Sequence, residues 1–337
     1  MQLLECDNAL RWSRAAKNVD DHRTARVGAP GADAATREEI FARAVEQAEY
    51  VDQRGHDALM VSEHHAADDG YLPSPMLVAS AFAAVTSRIP ISVSALLVNL
   101  YETPRLAEDI AVLDYLSKGR VSYTMGLGYR EEEYALYGRD WKTRGRDIEA
   151  RIEELLRIWK AGEVTPAPYT KPHPYLSYGG GTRTAAKRAA RLGLGFAPQA
   201  ADPALRDLYN DECRAHGREP GIAILAPPGP ANVFCAEDPE AFWGNYGKHL
   251  LADAQGYQSW RGASVTSYVR DDSQTVEQMQ AKGVYAVLTP DDLIERCRSK
   301  AIRLVTSHPA CGGLPADPSW ESVRLISETV MPALRAG

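Results

Sequence analysis

Extended apolar runs alternate with helical ones along most of this chain, and that alternation restricts the fold more than any single residue does. Residues 36–54 carry Ile40, Phe41, Ala44, Val45 and Ala48 at helical spacing. Thr36 and Glu39 form a capping-box pair at the start and Gly55 lies past the end. A strand is predicted at Asp57–Ser62, a helix at Pro75–Thr86 and a strand at Ile91–Val98. A helix follows at Thr103–Leu116, with Pro104 in its first turn and Gly119 beyond its end. Next come strand Val121–Leu127 and helix Thr143–Lys160, where Ile148, Ile152, Leu155, Leu156 and Trp159 share one face. The pattern continues with strand Tyr175–Tyr178, helix Thr182–Leu192, strand Gly195–Pro198 and helix Ala204–Ala215. Strands Ile222–Ala226 and Asn232–Ala236 precede helix Pro239–Ala252, and Ile302–Thr306 and Trp320–Leu334 close the chain as strand and helix.

With a first strand at Gln2–Cys6, about eight strand–helix units of roughly 42 residues fill the 337-residue chain. Strand–helix repeats build parallel sheet. The expectation is an α/β fold, a (β/α)8 TIM barrel with insertions in its βα loops, as one domain over residues 1–337. An open doubly wound sheet is the competing architecture, but it needs a Gly-rich turn after its first strand, and none is present. Ala16–Ala35 and Gln255–Lys282 exceed the count. They read either as lids over the barrel mouth or as solvent-facing decoration.

Composition narrows the partners. The net charge of −7 argues against nucleic acid and anionic membranes, which need a basic surface. Five cysteines, none in a CxxC pair, predict neither a disulfide framework nor structural zinc. No signal peptide and no membrane span is read, so a cytoplasmic location is expected.

Four segments have chemical potential. Ser62-Glu63-His64-His65 ends the second predicted strand, where barrel enzymes place catalytic residues. Strand alternation puts Leu59, Val61 and Glu63 on one side and Met60, Ser62 and His64 on the other. His64 then points into the mouth as a candidate general acid or base, or else bonds a loop carbonyl as a structural residue. Adjacent histidines point apart, which weighs against metal ligation, and no metal is expected. Ser92–Asn99 reads as a buried strand. Gly126-Leu127-Gly128-Tyr129 ends another, and its glycines permit close approach of a planar ligand or simply make a turn. Gly179-Gly180-Gly181-Thr182-Arg183 precedes a helix, and such an N-terminus presents free N–H groups to an anion. The alternative there is a Gly-rich turn leading to a solvated basic face.

Taken in order, these motifs resemble the bacterial luciferase-like monooxygenase family. The resemblance rests on Glu63-His64-His65, on Pro104–Asp109 with Leu113–Arg120, on Gly126-Leu127-Gly128, and on Ala189–Gly193. It also extends to Val287–Leu293, Cys311–Pro315 and Val330–Leu334. It implies a TIM barrel using reduced FMN or the deazaflavin coenzyme F-420. His64 falls at the family's active-site histidine. Ala95-Leu96 falls at a non-prolyl cis peptide beneath the flavin ring, and Gly126 and Gly128 fall where the chain passes it. Gly180, Gly181, Thr182 and Arg183 fall at the flavin phosphate, and Glu63, Asn99 and Tyr129 are counted with the cofactor-binding residues. Sugar-phosphate dehydrogenases of the family carry Glu directly after the GxG, where this chain has Tyr129.

The resemblance favours a monooxygenase that takes reduced FMN from a separate reductase and uses O2 on a small organic substrate; a homodimer is expected as the commonest soluble oligomer. The alternatives are an F-420-dependent reductase or dehydrogenase and a non-catalytic partner subunit. Trp12, Tyr71, Tyr101, Tyr129, Trp260 and Tyr268 suggest an aromatic-lined mouth.

Overall fold

A computed structural model describes residues 10–11, 35–66, 72–260 and 267–336. Parallel strands alternate with helices in the order β1 (Leu10–Arg11), α1 (Arg37–Arg54), β2 (Leu59–Val61), α2 (Pro75–Val85), β3 (Ile91–Leu97), α3 (Thr103–Ser117), β4 (Val121–Gly126). A short α4 (Glu131–Leu136) and a long α5 (Arg144–Ala161) lead to β5 (Leu176–Gly179), α6 (Arg183–Leu192), β6 (Gly195–Ala197) and α7 (Pro203–Ala215). The last part comprises β7 (Asn232–Cys235), α8 (Pro239–Trp260), α9 (Val276–Lys282), β8 (Tyr285–Leu288), α10 (Pro290–Arg298), α11 (Ala316–Leu325) and α12 (Met331–Arg335).

β1 to β6 pair with their sequence neighbours in one parallel sheet, and β7 and β8 pair in a second. Consecutive parallel pairing with a helix in each crossover is the (β/α) barrel pattern. The helix ends follow local chemistry. Thr36 and Glu39 close a complete capping box on α1, and Gly55 caps its far end at φ 72°. Leu59, Val61, Ile91, Val93, Val121 and Tyr123 are buried in one large core beneath the surrounding helices. The predicted alternation at Leu59 and Val61 is therefore realised.

Several elements differ from their sequence reading. The strand beside β2 is Leu10–Arg11, whereas Gln2–Cys6 and nearly all of Ala16–Ala35 lie outside the described residues. Ile222–Ala226 is reduced to one parallel bridge, Ala223 with Phe196. Pro227, Pro228 and Pro230 follow it and lack the N–H groups a ladder needs. Ile302–Thr306 forms no strand, although the Thr306 carbonyl accepts from Val233 N–H at 2.8 Å. Gln255–Lys282 is not a continuous loop: α8 runs on to Trp260 because Tyr257 and Trp260 pack on the main core, and α9 occupies its end. Among the described residues, no helix is long and apolar enough to cross a membrane. Cys213 and Cys235 are free thiols.

Candidate active site

The chemically suggestive residues meet at the C-terminal ends of β2 to β5. Register carries them there: Val61 lies opposite Val93, Leu97 opposite Gly126, and Met125 opposite Tyr178. β2 stops at Val61, and the next four residues, Ser62 to His65, are all buried.

The two adjacent histidines point apart, and each joins a carboxylate to a phenol. His64 Nδ1 lies 2.8 Å from Glu133 Oε1, and His64 Nε2 lies 2.8 Å from the Tyr129 hydroxyl. On the other side His65 Nε2 lies 2.8 Å from Glu63 Oε1, and His65 Nδ1 lies 2.9 Å from the Tyr137 hydroxyl. Glu133 Oε1 also accepts from the backbone N–H of His65 at 3.0 Å and from Arg130 at 3.4 Å. Burial alone would raise the Glu133 pKa. The His64 hydrogen bond and charge, the His65 N–H and Arg130 outweigh it and hold the group below the ordinary carboxylate range. Glu133 is thus a buried, ionised carboxylate.

Aromatic rings cover His64. The rings of Tyr129, Trp260 and Tyr257 stand 5.1, 5.2 and 6.2 Å from its ring, and the Arg130 guanidinium lies 5.2 Å from the Trp260 ring. The end of α8 therefore forms one wall of the site. Tyr268 N–H bonds the Gln199 carbonyl just beyond β6, which brings the loop after α8 to the same end of the sheet. Trp12 and Tyr71 lie outside the described residues.

The glycine-rich strand ends have physical causes that differ from the expectation. A Cβ on Gly126 would come within 2.6 Å of the Ala95 Cβ. Ala95 fills that space because β3 bulges between Ser94 and Leu96, where the Ser94–Ala95 peptide is cis. The cis bond is thus one residue earlier than the predicted Ala95-Leu96. Gly126 makes room for the chain's own bulge. Gly128 has φ +78°, a turn conformation, and packs against Tyr134.

Glu63 is tied to three groups of the protein itself. Its carboxylate accepts from His65, from the Leu97 N–H at 2.7 Å and from the Tyr101 hydroxyl at 2.7 Å. It braces β2 against β3 on the side away from His64. With His65, Leu77, Tyr101, Val112 and Tyr137 it lines a cleft of about 690 Å³ at α2 and α3. Asn99 is buried and donates to the Tyr134 hydroxyl and the Arg144 carbonyl, both at 2.9 Å. Its Oδ1 has no partner among the described residues.

At the β5 end, Gly180 takes φ +133°, a conformation open to glycine. Thr182 caps α6 by accepting from Ala185 N–H at 3.1 Å. Thr182, Arg183 and Thr184 are exposed at this N-terminus, which favours an anion. These features suit the phosphate of a flavin-type cofactor. Among the described residues, no group of three or more His, Cys, Asp or Glu could hold a metal ion.

His64 and Tyr129, singled out by the sequence, meet here with Glu133 and Arg130, to which the sequence gives no role beside His64. Their only signal was position, directly after the GxG-Tyr motif.

A sequence model of the luciferase-like monooxygenase family matches residues 22–303. The alkanal monooxygenase beta chain of Photorhabdus luminescens is 29% identical over 103 residues, covering 31% of this chain and 32% of that protein. The chain thus matches about a third of the length of such curated relatives. Among solved structures, a monooxygenase from Streptomyces bottropensis superposes with a TM-score of 0.69 at 22% identity, covering 88% of this chain and 94% of that one. The oxygenating constituent of 3,6-diketocamphane monooxygenase from Pseudomonas putida, solved with FMN, gives 0.62 at 18% identity, covering 92% and 99%. An F-420-dependent secondary alcohol dehydrogenase gives 0.62 at 17%, covering 88% and 95%. These likenesses confirm the TIM-barrel fold. The chain belongs to the luciferase-like monooxygenase family, a family of flavin-type oxidoreductases.

Proposed function

We propose that this protein is a flavin-dependent monooxygenase that uses reduced FMN and O2 on a small organic substrate. The observation that carries the reading is the buried Glu133–His64–Tyr129 chain at the strand ends. A non-catalytic subunit has no need of an ionised carboxylate held against a histidine in its interior. Reduced FMN, when bound, would supply the electrons that activate O2. The chain's residues do the rest. Gly180, Gly181, Thr182 and Arg183 bind the phosphate. Tyr129, Tyr257 and Trp260 exclude water, which protects reactive chemistry from hydrolysis. His64 holds a proton at Nε2 or accepts one there.

Coenzyme F-420 is the second reading, favoured by the dehydrogenase of the same fold solved with it. Tyr129 directly after the GxG counts against the sugar-phosphate branch of that chemistry. A separate reductase supplies reduced flavin in the first reading, and the expected compartment is the cytoplasm.

We also propose a homodimer formed through α2 and α3. Leu77, Val112 and Leu116 are 72%, 46% and 57% exposed there, an apolar face costly to leave in water.

The test is oxygen labelling. Purified protein, a flavin reductase, FMN and a panel of small organic substrates are incubated under 18O2. The reading expects one 18O atom in a product, lost in His64→Ala. Unlabelled products, formed equally without O2 when F-420 is supplied, would overturn it.

A further inference from the structure

We propose that Tyr129, rather than His64, is the group that exchanges a proton with the reactant, and that His64 and Glu133 are positioning residues acting through its hydroxyl. The inference rests on the reading of this site as that of a flavin monooxygenase and assigns its proton path.

The hydrogen-bond directions lead to it. Glu133 is ionised, so its Oε1 can only accept, and His64 Nδ1 must carry the proton between them. A neutral imidazole with its proton on Nδ1 has a lone pair on Nε2. In that neutral ring, the state proposed for the site before reaction, the Tyr129 hydroxyl, 2.8 Å away, donates to it. Both His64 ring nitrogens are thus engaged within the protein. His64 is also 5% exposed, beneath the rings of Tyr129, Tyr257 and Trp260. Tyr129 is only half-buried and is the outermost member of the chain. A reactant arriving at the mouth meets the phenol oxygen first.

The step balances without any further reagent. A reactant hydroxyl, thiol or comparably acidic X–H gives its proton to the Tyr129 oxygen as the original phenol proton passes to His64 Nε2. The X–H and old phenol O–H bonds break, and a new phenol O–H and an Nε2–H form. The reactant is left as an anion, and the imidazolium faces the Glu133 carboxylate, which stabilises it. Run backwards, the same path protonates an oxyanion.

Glu133 is itself held in place from three directions. The His65 N–H, Arg130 and His64 converge on one oxygen, and Arg130 also bonds the His65 carbonyl at 2.6 Å. The sequence Arg130-Glu131-Glu132-Glu133 places these two groups one helical turn apart on α4 and its N-terminal flank, so the same short element supplies both.

Two readouts test this. In the first, 3-fluorotyrosine replaces Tyr129 and its 19F resonance is followed in the protein without cofactor. The resonance should move on His64→Ala and on the isosteric Glu133→Gln; a resonance unchanged by both would overturn the hydrogen-bonded chain. In the second, Tyr129→Phe should lower kcat by about 10²-fold, the lower range for one acid–base group, with KM and the Kd for reduced FMN unchanged. Glu133→Gln should lower kcat in the same way without moving KM, a split that a merely structural residue would not give. If Tyr129→Phe retains kcat within threefold while His64→Ala is inactive, His64 itself meets the reactant and the proposal fails. Parent protein that shows no turnover with reduced FMN under O2 contradicts the monooxygenase reading instead, while the 19F result still decides the chain.

Discussion

His56 isolates burial from catalysis. It lies just past α1, is 4% exposed, and its Nε2 sits 2.8 Å from the Ser327 hydroxyl oxygen. That hydroxyl donates to the Val323 carbonyl, so its oxygen accepts from His56 Nε2–H. Nδ1 has no partner among the described residues, and a protonated ring would bury an unsatisfied N–H. Burial, then the charges of Arg335 and Arg54, push the ring down to about 3. Folding therefore favours the neutral form. This contribution is whole above the unfolded value near 6.5 and is lost as pH falls from there toward about 3. Between pH 8 and pH 5 the loss is about 2 kcal/mol. Urea unfolding at the two pH values should show that His56→Gln shrinks the difference by about this amount. An unchanged difference would mean that His56 titrates normally in the fold.

Single residues also show where sequence reading stops. His64 was legible because a strand end followed by two histidines is unusual and alternation gives each a side. Glu133 was not, because Glu131-Glu132-Glu133 reads as a solvated run and carboxylates are almost never fully buried unless paired. Two of its partners, His64 and the His65 N–H, lie more than sixty positions earlier, and only the fold brings them to it.

At the scale of elements, the helices with clear apolar faces and caps were legible to within a residue or two; α5 and α6 are examples. α4, with six residues, and α9, with seven, are too short for a period to show. Strand propensity misleads at Ile302–Thr306, where Ile302, Val305 and Thr306 are β-branched but the backbone makes only an isolated bond to β7. The β3 bulge falls at Ala95, where that residue fits against Gly126 on the neighbouring strand. That fit is testable. Gly126→Ala should destabilise the protein by about 1–3 kcal/mol through overpacking. Adding Ala95→Gly should recover most of the loss, as contacting sites are coupled. Thermal unfolding of the two single variants and the double checks it, and simple additivity would show that the two residues do not share the space.

For the whole molecule, the alternation of strands and helices over some 300 residues was enough for the barrel, since few parallel α/β architectures use that many units. The acidic net charge is a property of the surface, whereas the proposed cofactor site departs from it, with Arg183 and a glycine-rich turn at a helix N-terminus. The two histidine chains lie apart: Glu133–His64–Tyr129 sits against the end of α8, and Glu63–His65–Tyr137 lines the α2–α3 cleft beside the apolar face. The substrate was not legible, because the walls of the mouth come from the end of α8 and loops far apart in sequence.

Cofactor choice separates the proposed chemistry from its alternative most directly. Anaerobic titration of the purified protein with reduced FMN and, separately, with F-420, followed by fluorescence, measures it. The account predicts saturable binding of reduced FMN at least tenfold tighter than that of F-420, weakened by Arg183→Ala. Tight binding of F-420 with none of reduced FMN would contradict it.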